Sequence, residues 1–163
     1  MRVRVPPAAL TYHVRYQKTS YSCGATAVMN ALRSLGKRVS ERRISSLAGT
    51  EPEKGTTEDG VLVSIRELGF VAMRYETDDK VAAWAWMSES LKSSRPIILC
   101  ISNWQHWVTA IGMLGDRVII VDPTNAMTNK RENGVVVLSK RELIRKWMHS
   151  QKGGFFGISI GRR

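Results

Sequence analysis

In Gln17-Lys18-Thr19-Ser20-Tyr21-Ser22-Cys23-Gly24-Ala25-Thr26-Ala27 a polar loop runs into a cysteine at the opening of a helix. Helical spacing begins at once: Ala27, Val28, Ala31, Leu32 and Leu35 share one face, and Gly36 is the stop. A sulfur at a helix start meets the positive end of the helix dipole and first-turn N–H groups that have no partner within the helix. Both favour the thiolate over the thiol. Gly24 and Ala25 are small, so another backbone or a substrate can approach the sulfur. A thiolate nucleophile also needs a base, and donors for the oxyanion it creates. The backbone N–H of Cys23 and the amide of Gln17 are candidates for the second task.

The base is sought far along the chain. His106 stands in Asn103-Trp104-Gln105-His106-Trp107-Val108-Thr109-Ala110-Ile111-Gly112, at the start of a predicted strand and between tryptophans that exclude water. The next strand, Val118-Ile119-Ile120-Val121, ends at Asp122-Pro123, and Leu114-Gly115-Asp116 is a tight connection between the two. Strands joined by a hairpin run antiparallel, so the start of the first lies beside the end of the second. Asp122 is thereby placed to orient His106 and fix its tautomer.

Beyond these stretches, further helices are predicted over Ser40–Leu47, with Ile44, Leu47 and Ala48 inward, and from an N-cap at Thr56 through Leu68. Gly49 to Gly55 reads as loop. Phe70–Tyr75 alternates as a strand, and Val81–Leu91 reads as a helix with Trp84 and Trp86 partly buried. Strands are expected over Ile97–Ser102, His106–Met113, Arg117–Asp122, Val135–Leu138 and Gly154–Ile160, with a helix over Ser139–Met148. Helices come first and a mostly antiparallel sheet comes after them, so the fold class is α+β. The 163 residues suit one domain over 12–163, after a loose lead-in over 1–11.

Composition excludes several other readings. Two cysteines are too few for a disulfide scaffold, and Cys100, inside Pro96-Ile97-Ile98-Leu99-Cys100-Ile101, is a small buried hydrophobe. His13, His106 and His149 have no metal-ligand spacing with either cysteine, and no metal or organic cofactor is expected. No apolar run reaches the roughly 18 residues of a membrane span. The N-terminal Met1-Arg2-Val3-Arg4-Val5-Pro6-Pro7 is not a secretory signal, so a cytoplasmic location is expected. The net charge of +11 favours acidic partners, an acidic peptide among them. The charge is scattered over pairs such as Lys37-Arg38, Arg42-Arg43, Lys130-Arg131 and Arg162-Arg163, without an aromatic platform. Nucleic acid is therefore not the expected ligand.

Gln17 and Cys23-Gly24-Ala25, then His106-Trp107 and Asp122-Pro123, resemble the papain-like cysteine peptidases that process bacteriocin precursors. Leu47-Ala48-Gly49-Thr50, Gly55-Thr56-Thr57 and Glu67-Leu68-Gly69-Phe70 are similar to that family as well, and the resemblance runs from Tyr12 to Thr124. It implies a papain-like fold and a peptide or protein substrate cleaved through a thioester acyl-enzyme. It implies Cys23 as nucleophile, His106 as base, Asp122 as orienter and Gln17 as oxyanion donor. Exporter-fused members continue into a membrane domain and an ATPase, whereas this sequence stops at Arg163 and reads as a stand-alone domain. Cleavage after a double-glycine leader does not follow from the resemblance alone.

Each residue taken singly has a plainer reading. A cysteine at a helix start is often structural, Asp122 before Pro123 suits a turn, and Gln17 suits a polar loop. Gly153-Gly154 suits a turn into the last strand better than self-cleavage. Two rival functions stand beside peptidase: acyl transfer or deamidation on the same residues, and a peptide- or nucleic-acid-binding module with a dormant site.

Overall fold

The computed structural model describes residues 17–101, 106–123, 134–148 and 154–163. The lead-in through Tyr16, Trp104, Lys130-Arg131, His149 and Gly153 lie outside them. Three helices come first: α1 (Cys23–Ser34), α2 (Glu41–Ala48) and α3 (Glu58–Glu67). After them come β1 (Val71–Thr77), α4 (Lys80–Lys92), β2 (Ile97–Ile101), β3 (His106–Leu114), β4 (Arg117–Val121), β5 (Val135–Leu138), α5 (Lys140–Trp147) and β6 (Phe155–Gly161). The strands form one sheet in the order β1-β6-β2-β3-β4-β5, every neighbouring pair antiparallel. The fold is α+β, as the element order implies.

Alternation along the central strands divides the core in two. Ile98, Cys100, Trp107, Phe156, Ile158 and Ile160 pack under α1 and α3 on one face. Ile97, Leu99, Ile101, Val108, Ala110 and Phe155 pack under α4 and α5 on the other. With helices on both faces, β2 is buried at every position, which is why its sequence is a continuous apolar run. Cys100 is fully buried within it, as its surroundings imply. Trp147 is fully buried and donates its indole N–H to the Phe156 carbonyl at 2.7 Å, so it is a packing residue.

Boundaries differ from the sequence expectation in a few places. The N-cap of α3 is Thr57, not Thr56: the Thr57 hydroxyl accepts from Gly60 N–H at 3.1 Å. Thr56 is drawn inward instead, its hydroxyl paired with that of Thr50 at 2.8 Å. In α2, Ile44 and Ala48 are buried as expected and Leu47 only half so, while Glu41 is buried too. β1 runs on to Thr77 because its pairing with β6 continues to Phe155. Asp122 falls just past β4, its N–H donating to the Gly134 carbonyl at 2.9 Å.

Candidate active site

Helix α1 lies across β3 and is pinned there from below. The buried Thr109 hydroxyl donates to the Ala27 carbonyl at 2.8 Å, so the strand that begins at His106 carries the helix that begins at Cys23. Close approach at the helix start needs Gly24. A Cβ there would stand 2.5 Å from the Cβ of Thr56. The Thr56 carbonyl in turn accepts the Trp107 indole N–H at 3.2 Å, closing a tie from loop to strand beside the cysteine. Among the described residues, no side chain caps α1: Ser22 at the N-cap turns its hydroxyl to Thr19 instead. Within the uncapped first turn, the Gly24 N–H is a hydrogen-bond partner of the half-buried Cys23 thiol.

The β3–β4 hairpin brings its two ends together as expected. His106 Nε2 and Asp122 Oδ1 are 2.7 Å apart, with Asp122 fully buried and the His106 side chain 13% exposed. The imidazole also meets the Cys23 thiol as a hydrogen-bond partner, and Nδ1 is the ring nitrogen left for that contact. Cys23, His106 and Asp122 thus form one chain of contacts.

The electrostatics of the site arise from this chain. Burial alone would push the Cys23 thiol up. The His106 hydrogen bond, the Trp107 N–H, the His106 charge and the Gly24 N–H outweigh it and hold the thiol below its ordinary 9.0. Burial alone would push His106 down, yet Asp122 and Cys23, by hydrogen bond and by charge, raise it from 6.5 to about 9. Cys100 goes the other way: burial, and then the nearby Cys23 charge, push it up to about 12. These contacts favour the thiolate at Cys23 and the imidazolium at His106. Among the described residues no cluster of His, Cys, Asp and Glu is arranged to hold a metal ion.

Gln17 is placed differently. Its backbone N–H donates to the Pro123 carbonyl at 3.0 Å, which sets it next to Asp122. Its side-chain Nε2 donates to the Thr19 carbonyl at 2.7 Å, and its Oε1 is buried without a hydrogen-bond partner among the described residues. The structure therefore brings three of the four sequence candidates into direct contact and leaves the Gln17 amide turned onto its own loop. Glu41, which braces the site, was not singled out from sequence, whereas the sequence reads Thr56 as a helix N-cap and as part of the family-like Gly55-Thr56-Thr57. The small Gly24 hinted at a close neighbour but could not say which.

A helix-borne cysteine held against a strand-borne histidine, on helices packed over an antiparallel sheet, is the arrangement of papain-like cysteine peptidases. Residues 11–149 match the model of the Peptidase C39 family. The chain belongs to the Peptidase C39 family. It is 26% identical over 118 residues to the lactococcin-G-processing and transport ATP-binding protein LagD of Lactococcus lactis subsp. lactis, covering 71% of this chain and 16% of that protein. It is 30% identical over 119 residues to an uncharacterized protein of Methanothermobacter thermautotrophicus, covering 71% and 75% respectively. Among solved structures, the peptidase domain of Streptococcus ComA, a bi-functional ABC transporter involved in quorum sensing, superposes with a TM-score of 0.69 at 18% identity. That match covers 93% of this chain and 99% of the domain. A double-glycine-motif protease from an AMS/PCAT transporter, solved with its leader peptide, gives 0.66 at 22% identity, covering 92% and 91%. No helix among the described residues is long and apolar enough to cross a membrane.

Proposed function

We propose that this chain is a cysteine peptidase that cleaves a peptide bond through a thioester acyl-enzyme, and that its substrate is a leader-type peptide. The contact chain Cys23–His106–Asp122 carries the reading. The Cys23 thiolate attacks the scissile carbonyl carbon; a C–S bond forms and the carbonyl electron pair moves onto oxygen. The Cys23 N–H at the start of α1 and the second N–H of the Gln17 amide stabilise that oxyanion. As the intermediate collapses, the C–N bond breaks and the His106 imidazolium gives its proton to the departing amine. His106 then takes a proton from water, which attacks the thioester and releases the acid and the thiolate. Asp122, at Nε2, holds the ring so that Nδ1 faces the sulfur throughout.

The peptide class is supported by the likeness to a protease solved with its leader and to a lactococcin-processing protein. The depressed Cys23 thiol favours an active site over a dormant one, which has no need of a thiolate. The test is mass spectrometry of synthetic leader peptides with an internal Gly-Gly after incubation with the protein. Cleavage that disappears in Cys23→Ala is expected. Cleavage that persists in Cys23→Ala, or an N-terminal fragment that leaves the enzyme joined to an acyl acceptor in place of water, would overturn the reading.

A further inference from the structure

Three successive N–H groups ahead of the cysteine are each tied to a different part of the fold. Gln17 N–H donates to the Pro123 carbonyl at 3.0 Å, Lys18 N–H to Glu41 Oε2 at 3.2 Å, and Thr19 N–H to the Ser22 hydroxyl at 3.2 Å. The middle tie is the unusual one. Glu41 lies in the first turn of α2 and is only 8% exposed. The same Oε2 lies 3.2 Å from the hydroxyl of Thr26, in the first turns of α1 just beyond Cys23, and shares that hydroxyl's proton with the Ser22 carbonyl at 2.9 Å. A glutamate in a first turn gains from the helix dipole while remaining in water, so its burial serves some other end. Burying a carboxylate is costly unless hydrogen bonds or a cation offset it, and no ion pair among the described residues includes Glu41. The buried oxygen bridges the loop that carries Gln17 to the helix that carries Cys23.

We propose that Glu41 is a positioning residue that holds Gln17 in register with the Cys23 end of α1, and so sets the oxyanion side of the site. The inference rests on the reading of Gln17 as an oxyanion donor. It separates two functions of the site: His106 and Asp122 govern the thiolate, whereas Glu41 acts only on the oxyanion formed by its attack. Two reactions of Cys23 tell these apart. With iodoacetamide the thiolate displaces iodide and no oxyanion forms. With p-nitrophenyl acetate it attacks the carbonyl, an oxyanion forms and p-nitrophenolate leaves.

Glu41→Ala is expected to slow acylation by p-nitrophenyl acetate about 10-fold or more, the scale of a small misplacement, while alkylation is unchanged. Added to Gln17→Ala, it is expected to cost nothing further, because the two act through one donor. Glu41→Gln keeps an acceptor oxygen for Lys18 N–H and is expected to regain most of the rate. Should Glu41→Ala not fold, Glu41→Asp carries the same expectation, since it draws the carboxylate back while keeping the charge at the helix start. An equal fall in both reactions would make Glu41 merely structural and overturn the inference. Losses that add in the double variant would overturn it too and leave Gln17 in its role. A Gln17→Ala protein that acylates like wild type would remove Gln17 and this inference together, while Cys23 and His106 stand.

Discussion

At Cys23 burial and hydrogen bonding pull in opposite directions, and the balance falls to the thiolate because His106 and two N–H groups converge on one sulfur. His106 needs Asp122 for its part, and the pH dependence should show it. The imidazolium that protonates the leaving amine is present below about 9 and is lost as pH rises through that value. The profile of kcat/KM on a cleaved peptide should therefore fall on its basic side near there. In Asp122→Asn the partner that raises His106 has lost its charge, so that limb should move to lower pH; a limb that stays in place would detach Asp122 from His106. These three residues were legible in the sequence because each is read locally: a helix opening, a strand start, and a hairpin that joins their partner to it. Glu41 was not. Its partners Lys18 and Thr26 are far from it in sequence, and a first-turn glutamate already has an explanation.

The elements were legible from periodicity, and their ends less so. Consecutive threonines at Thr56 and Thr57 both qualify as N-caps by type, and only packing against Gly24 assigns Thr56 to the site and Thr57 to α3. The contact makes a prediction for the start of α1. Gly24→Ala drives a Cβ into the Thr56 Cβ and should destabilise the fold by about 1–3 kcal/mol, the cost of overpacking. It should also slow alkylation of Cys23, because the helix start shifts from His106. Thr56→Ala leaves the obstructing Cβ in place, so it should rescue little, whereas Thr56→Gly should restore both quantities. Urea unfolding and iodoacetamide kinetics on the two double variants check this, and equal behaviour of the two would contradict it. The pin below the helix is separable from the chemistry. Thr109→Val should cost about 1 kcal/mol in urea, the net worth of one hydrogen bond, with little change in alkylation.

The strand order of the whole molecule was the least legible part. β6 comes last in the chain yet sits between β1 and β2, and no local pattern announces a pairing between Val71 and Gly161. The charge was legible at once, but its use was not. A cleft of about 310 Å³ lined by Lys37, Arg38, Ser40, Arg43 and Glu67 gathers part of it beside α2. If that basic surface is not a nucleic-acid site, binding to duplex DNA should be weak and should vanish between low and physiological salt. Fluorescence anisotropy with labelled DNA would show this, and binding that survives physiological salt would reinstate nucleic acid as a ligand. The fold as a whole sets the first helix against a strand more than half the chain away, so that His106 reaches Cys23. The most direct test is the rate of iodoacetamide labelling at neutral pH, read by peptide mapping at both cysteines in wild type and His106→Ala. Wild-type Cys23 is expected to label far faster than Cys100, which is pushed up to about 12, and His106→Ala is expected to remove most of that advantage. Cys23 labelling equally fast without His106, or Cys100 labelling first in the folded protein, would contradict a thiolate held by His106.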